Sequence, residues 1–270
     1  MRTYALLQIP RARSELRCAV AARRRPMDLD DGANAIARVL ETLDVVIDPR
    51  DQAVAHPMKT VGFWEWWITR AMTDCMRPGT VCVDVGANAG YFAVLFVALG
   101  AGEVIAIEPH PGLAARLRQT AQRNHWAQLR VIESAVGDVP GRANLFVQGD
   151  DNLGGATLIE VANDRTIDVP VETLDTLLGE LRGVQVLKLD CEGFEPRIWL
   201  GMQGLLARNP DMHVFAELLV NHEAAPWLQQ LVAQGWQLRF VDYDAEIRPL
   251  RIDQIGDRTL WMLYLHRDES

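Results

Sequence analysis

The sequence predicts an α/β protein: a mostly parallel sheet with helices on both faces, preceded by an N-terminal helical extension. Three observations carry this expectation. After Gly79, short β-branched or apolar runs alternate with helical segments, the pattern of a parallel sheet covered on both faces. The first of these runs passes into a helix through a tight small-residue turn, Val83-Asp84-Val85-Gly86-Ala87-Asn88-Ala89-Gly90. The chain closes with two strand-like runs, 237–243 and 260–266, with little room for a helix between them, which predicts an antiparallel pair at the far side of the sheet. With 270 residues, 49% hydrophobic and 23% charged, the chain can build one such domain plus an accessory segment.

Taken in order, residues 1–25 hold seven arginines and a single acid, Glu15. A targeting peptide and a contact to an anionic substrate are both compatible with that composition. The apolar run 4–9 and the absence of a serine-rich character favour an extended or helical accessory arm. From Asp28, a helix is predicted, because Ala33, Ile36, Ala37, Leu40 and Leu43 recur at three- and four-residue spacing behind the capping candidates Asp30 and Asp31. After a loop with Pro49 and Pro57, the run Phe63-Trp64-Glu65-Trp66-Trp67 leads into Ile68, Ala71 and Met72, an aromatic-rich helix that stops before Pro78-Gly79. Its aromatics are expected to pack on the core, with a share in a ligand wall as the alternative. Residues 1–78 therefore read as arm and helical accessory segment, and 79–270 as the ligand-binding domain.

Within that domain the runs predict strands near 81–85, 103–107, 129–134, 184–190 and 213–217, and helices over 90–99, 113–124, 196–204 and 225–233. Asn124 reads as a C-terminal helix cap. Residues 144–174 are strand-like, with turn signals at Asp150-Asp151-Asn152, Gly154-Gly155 and Asn163-Asp164. An insertion at that point would lie over the carboxyl edge of the sheet.

Lysine and arginine total 27 against 36 acids, a net charge of −9, which argues against nucleic-acid phosphate or an anionic membrane as the main partner. Cys18, Cys75, Cys82 and Cys191 form no CxxC and no cysteine/histidine cluster, so neither structural zinc nor a disulfide framework is expected. Reduced thiols in a cytoplasm are the simplest reading. No apolar stretch approaches the roughly 20 residues of a membrane-spanning helix.

The turn from Val83 to Gly90 has the geometry of a nucleotide cradle, but it is not the dinucleotide fingerprint GxGxxG: Asn88 replaces the middle glycine. Gly86 permits a sharp turn, and Gly90 lets the next helix pack on the strand. Asp84 would repel a pyrophosphate, whereas it suits the ammonium and sulfonium of S-adenosylmethionine. The second strand ends at Glu108, about 20 residues on, where an acid accepts from both ribose hydroxyls. A third acid, Asp138, follows the third strand, where it can meet an adenine amino group or form a solvated turn. The fourth strand delivers Leu187-Lys188-Leu189-Asp190-Cys191-Glu192-Gly193-Phe194-Glu195. Its period of two sets Lys188 and Asp190 on one side, and its crowded acids need Lys188, a cation or a raised pKa.

These motifs resemble the FkbM-type S-adenosylmethionine-dependent methyltransferases. The likeness rests on the stretch from Val83 to Phe92, Glu108-Pro109, Thr173-Leu174-Asp175 and the stretch from Leu187 to Glu195, and covers roughly 60–265. Cys191 and Phe194 stand where smaller or β-branched aliphatics are more usual. The resemblance implies a class I methyltransferase, Rossmann-like, with seven strands and the last antiparallel, and methyl transfer most often to a hydroxyl of a sugar or natural product. By that analogy Asp84, Gly86, Asn88 and Gly90, with Tyr91 next to them, border the methionine end of the cofactor and Glu108 its ribose, while the stretch from Asp190 to Glu195 lies at the catalytic mouth with Asp190 beside the cofactor; Asp138 is a cofactor-binding candidate with the solvated turn as its alternative.

An alcohol acceptor needs a general base. Asp190 and Glu192 are the best-placed candidates, with Lys188 beside them and His222, past the fifth strand, as a further one. Acids at 190, 192 and 217 could instead hold a divalent cation, though no metal ligand is assigned. No Asn-Pro-Pro-Tyr follows the fourth strand, which lowers amino acceptors on bases. The expected partner is a small-molecule acceptor, with no nucleic acid and no membrane; a homodimer through the arm and tryptophan helix is compatible with the sequence, as is a monomer. The alternatives are carboxylate or peptide methylation, a non-catalytic S-adenosylmethionine-binding protein, and a nicotinamide dehydrogenase.

Overall fold

The computed structural model describes residues 34–40, 42–149, 152–162 and 165–267. The arginine-rich arm, Asp30, Asp31 and Ala33, and the turn residues 150–151 and 163–164 lie outside them. In the main sheet, β3 (Val81–Val85), β4 (Glu103–Ile107), β5 (Leu129–Ile132), β9 (Val184–Leu189) and β10 (His213–Leu219) run parallel. β13 (Leu260–Leu265) pairs antiparallel with β10 and with β11 (Arg239–Val241), which in turn pairs with β12 (Ile247–Pro249). The strand order is β12-β11-β13-β10-β9-β3-β4-β5. The α/β class holds and the closing strand is antiparallel, as expected, but among the described residues the sheet has eight strands where the sequence predicts seven. The extra one is β12, formed because Ile247–Pro249 turns back on β11, and the same interval also holds a 3-10 helix, Ile252–Asp257, where little room for a helix is expected.

Helices cover both faces. One face packs Cys82, Val104, Ala106, Val186 and Phe215 against α3 (Tyr91–Ala98), α2 (Trp66–Cys75) and α1 (Ala55–Val61). The other packs Val83, Val85, Ile105, Leu187, Leu189 and Val214 against α5 (Leu174–Leu178), α6 (Glu195–Leu200), α7 (Gln203–Arg208) and α8 (Ala224–Ala233). Residues Tyr91 to Val97 are all buried, so α3 has no solvent stripe. The continuous helix expected over 196–204 is two helices. The Asp175 carboxylate accepts from the N–H groups of Gly204 (2.9 Å) and Leu205 (2.6 Å) and so caps α7 afresh, while the Asp175 N–H takes the Gly201 carbonyl.

The helix predicted from Asp28 is absent where the chain is described. Residues Ala35–Val39 (β1) and Leu43–Ile47 (β2) form an antiparallel hairpin. The same residues carry a period of two: Ala35, Ala37, Val39, Val45 and Ile47 are at most 1% exposed, and Arg38 pairs across the hairpin with Asp44 at 2.7 Å. The density of β-branched residues in β2 and burial against α4 (Pro111–Arg123) outweigh the helical spacing. Asn124, at the end of α4, does more than cap it. Its amide donates to Thr120 O (2.8 Å) and Asp44 O (2.7 Å), so that the hairpin is fastened to the helix. Residues 141–172 contribute β7 (Gly141–Val147) and β8 (Arg165–Glu172), which join β6 (Ala135–Val136) in a separate three-stranded sheet. No helix among the described residues is long and apolar enough to cross a membrane.

Candidate active site

The carboxyl ends of β3, β4 and β9 converge because these strands are neighbours in register: the N–H of Gly86 donates to Ile107 O at 2.9 Å and that of Asp190 to Val85 O at 3.1 Å. Gly86 has φ +74°, and a Cβ there would lie 1.8 Å from Asp190 O, so only glycine lets the turn press against the end of β9. Asn88 adopts φ 53°, a left-handed conformation that asparagine tolerates, and its side chain accepts from the Ala89 N–H at 2.6 Å. Gly90, at φ 90°, caps α3. Glu108 closes the turn from the neighbouring strand: its carboxylate accepts from the N–H groups of Asn88 (2.7 Å) and His110 (2.8 Å).

Two cavities open at this edge. The first is a largely apolar cleft walled by Ile107, Leu113, Val136, Leu145, Leu153 and Phe194, with Asn88, Glu108, Ser134, Thr157 and Asp190 as polar groups. The second, the roomier of the two, is lined by Trp64, Tyr91, Phe92 and the charged residues Glu65, Lys188, Asp190, Glu192 and Glu217. Gly86, Asn88, Gly154 and Asp190 line both. Leu153 to Leu158, from the insertion before β8, roof the first cavity, as the sequence led us to expect, and Thr157 Oγ1 donates to Glu192 O at 3.1 Å.

The acids share one lysine. Lys188 is 2% exposed, donates to Asp190 Oδ2 at 2.6 Å and sits 4.7 Å from the centroid of Phe92. Burial alone would depress its pKa, but Asp190, Asp84 and Glu65 outweigh it and raise it. Desolvation pushes Asp84 up to about 6, Glu192 up to about 7 and Glu195 up to about 8. Glu65 and Glu217 rise as well, first through burial and then through repulsion by Asp190. Glu108 is pushed up to about 7 by burial, against the backbone donors that favour its charge.

Of the residues singled out in the sequence, Gly86, Asn88, Glu108, Tyr91, Lys188, Asp190 and Glu192 line one or both cavities. The others are placed differently, Gly90 as the cap of α3 outside both linings. Asp84, 1% exposed, is not among the residues lining either cavity; its Oδ2 accepts from the Ala93 N–H at 3.0 Å, tying α3 to β3 beneath the turn. Asp138 turns to Arg197 at 3.3 Å instead of the apolar cleft. His222 is exposed in the turn before α8, outside both linings. Glu65 carries no role in the sequence reading, yet it lines the second cavity with φ 39° and a buried Oε2 without a hydrogen bond. A lone acid within Phe63-Trp64-Glu65-Trp66-Trp67 was the available signal.

A parallel five-strand block closed by an antiparallel strand, with a glycine turn and an acid at the carboxyl edge, defines a class I methyltransferase fold. Residues 84–248 match the methyltransferase FkbM domain, and the chain belongs to the FkbM methyltransferase family. Among solved structures it is similar to a methyltransferase FkbM from Methylobacillus flagellatus (15% identity, TM-score 0.48, 72% of this chain and 45% of that one). It is also similar to an rRNA methylase from Streptococcus thermophilus (12% identity, TM-score 0.46, 75% of this chain and 95% of that one). A third is the Pyrococcus abyssi tRNA (uracil-54, C5)-methyltransferase in complex with S-adenosyl-L-homocysteine (10% identity, TM-score 0.45, 86% of this chain and 44% of that one). The chain spans less than half the length of the Methylobacillus protein. No curated protein matches it in sequence.

Proposed function

We propose that the protein transfers the methyl group of S-adenosylmethionine to a hydroxyl oxygen of a small molecule, a sugar or natural product, in the cytoplasm. The observation that carries this reading is the junction of the two cavities, where an apolar cleft ending on Glu108 opens past Gly86 and Asp190 into an acid-lined chamber. The residues fit the cofactor. An apolar slot adjoins Glu108, whose ionised carboxylate keeps acceptor capacity for ribose hydroxyls beyond the two backbone N–H groups it already serves. When bound, the cofactor supplies an electrophilic methyl group on a sulfonium.

The chain's own residues orient the acceptor and take up its proton. Alignment of acceptor and methyl group in the chamber removes much of the entropic barrier to an in-line displacement. An alcohol also needs a base, and Asp190 and Glu192 line the chamber where that base is required. Lys188 is a positioning residue that fixes the Asp190 carboxylate. The acid lining opposes anionic acceptors, which favours a hydroxyl over a carboxylate, a peptide side-chain acid or a nucleic-acid backbone.

The test begins with calorimetric titration of S-adenosylhomocysteine and, in parallel, NADH into wild type and Glu108→Ala. Transfer of labelled methyl groups to polyols, sugars and carboxylic acids follows, on wild type and Glu192→Gln. The expected result is homocysteine-product binding lost in Glu108→Ala, and hydroxyl methylation lost in Glu192→Gln with product binding retained. Preference for NADH, or methylation confined to carboxylic acids, would overturn the assignment.

A further inference from the structure

We infer that Asp190, Glu192 and Glu217 form a divalent-cation site in the wall of the second cavity, suited to Mg²⁺ or Mn²⁺. The inference deepens the acceptor reading above, on which its catalytic meaning rests: the acids act together as ligands for a cation that meets the acceptor oxygen.

The three carboxylates come from separate stretches that the sheet brings together. Leu189 pairs with Ala216 across β9 and β10, so the next residues lie side by side, Asp190 just past the end of β9 and Glu217 still within β10. Glu192 follows two residues later, its backbone at φ 53° turning the chain back over the same edge. One carboxylate oxygen from each residue lies within 4.8 Å of the other two. Lys188 reaches Asp190 through Oδ2.

The independent observation is Glu217. It is 7% exposed, lines the chamber, and its Oε2 has neither solvent nor a hydrogen-bond donor. A buried acceptor left unmet costs free energy that a bound cation would recover. The donor set decides the class of ion. Three carboxylates without cysteine or histidine make a hard oxygen site, which suits Mg²⁺, Mn²⁺ or Ca²⁺ and disfavours zinc at a structural site. Three ligands leave coordination positions open toward the chamber, where water or an acceptor hydroxyl would bind. A hydroxyl on such a cation loses its proton far more readily than a free alcohol, and the carboxylate oxygen of Glu192 that does not ligate the ion takes that proton.

The experiment titrates Mn²⁺ alone into the full chain and follows it by electron paramagnetic resonance. Tb³⁺ luminescence excited through Trp64, in the same cavity, is the second readout. The expected result is saturable binding of a single Mn²⁺, displaced by Mg²⁺, and weakened at least about tenfold in Glu217→Gln and in Glu192→Gln. Glu192 lies on a half-exposed loop, so its variant still reports if the buried Glu217 substitution unfolds the chain. Glu133→Gln, on the surface by Arg118, should bind as wild type does. Absence of saturable Mn²⁺ binding, binding unchanged in both site variants, or displacement by spermidine but not by Mg²⁺ would overturn the inference, the last by making the cluster a pocket for an organic cation. Neither cofactor nor acceptor enters this assay. Metal binding without S-adenosylhomocysteine binding would therefore remove the methyltransferase reading and keep the cation site, and the reverse pattern would do the opposite.

Discussion

Replacing Gly86 with alanine puts a methyl group where the structure has a backbone carbonyl. The added Cβ would stand 1.8 Å from Asp190 O and 2.9 Å from Asp190 C, and neither is the flexible end of a side chain. The turn and the end of β9 must separate by more than an ångström to relieve the contact. An L-residue held at φ +74° costs roughly 1–2 kcal/mol and overpacking a rigid neighbour about 1–3 kcal/mol, which together give roughly 2–5 kcal/mol. For a chain of this size that is a fall in melting temperature of about 4–9 °C. Gly79→Ala supplies the internal control, since Gly79 has φ +83° and nothing within 4 Å of the added atom. It should lose only the conformational part, about 1–2 kcal/mol. Thermal unfolding and S-adenosylhomocysteine calorimetry on the two variants separate the contributions. Because Gly86 lines both cavities, only its variant should also lose ligand binding. Equal destabilisation of the two, with binding intact in both, would refute the argument that the turn is set by contact with Asp190.

The other expectations concern the groups around that turn. Burial pushes the Glu108 carboxyl up to about 7, above the ordinary glutamate range near 4.5, so the folded state holds its proton more tightly; wild-type stability relative to Glu108→Gln should decline as pH rises between these values, by at most about 3 kcal/mol, in urea denaturation series. S-adenosylhomocysteine affinity should move the other way and rise through pH 7, because ribose hydroxyls donate to the ionised form; a flat profile would contradict it. Asn124→Ala should cost about 1–3 kcal/mol in chemical denaturation by releasing the hairpin from α4, with ligand affinity unchanged. Asp138→Ala and His222→Ala should leave both S-adenosylhomocysteine affinity and methyl transfer at wild-type levels, since neither side chain lines a cavity.

The site was most legible where local sequence and global placement coincide. Val83 to Gly90 announces a strand, a turn and a helix in one stretch, and Asp190 and Glu192 leave the strand end as their period of two requires. Asp84 shows the limit of that reasoning. A carboxylate one residue before the turn was assigned to the ligand, but alternation along β3 buries it on the α3 face, where the Ala93 N–H and the charge of Lys188 engage it. Glu65 and Glu217 reach the chamber through tertiary contacts, one from a left-handed helix cap and the other from the middle of a buried strand. Glu217 is legible as a third acid beside Asp190 and Glu192, but no local pattern announces Glu65 as part of the same wall. The hairpin differs from expectation for a related reason: Ile36, Ala37, Leu40 and Leu43 keep a helical spacing while Ala35, Ala37 and Val39 keep a period of two, and the decision lies with α1, which β1 covers, and with α4 and α3, on which β2 packs.

The four residues common to both cavities, Gly86, Asn88, Gly154 and Asp190, make a doorway instead of a partition. A single molecule that carries an adenosine fragment at one end and an alcohol-bearing fragment at the other, joined by a tether short enough to pass beside Gly86, could occupy both chambers at once. Such a ligand loses its freedom to tumble only once for two sets of contacts, so its affinity should exceed that of either half well beyond their simple comparison. Varying only the alcohol end of such compounds would turn the doorway into a ruler for the undiscovered acceptor, reporting its length and charge through affinity alone, without turnover.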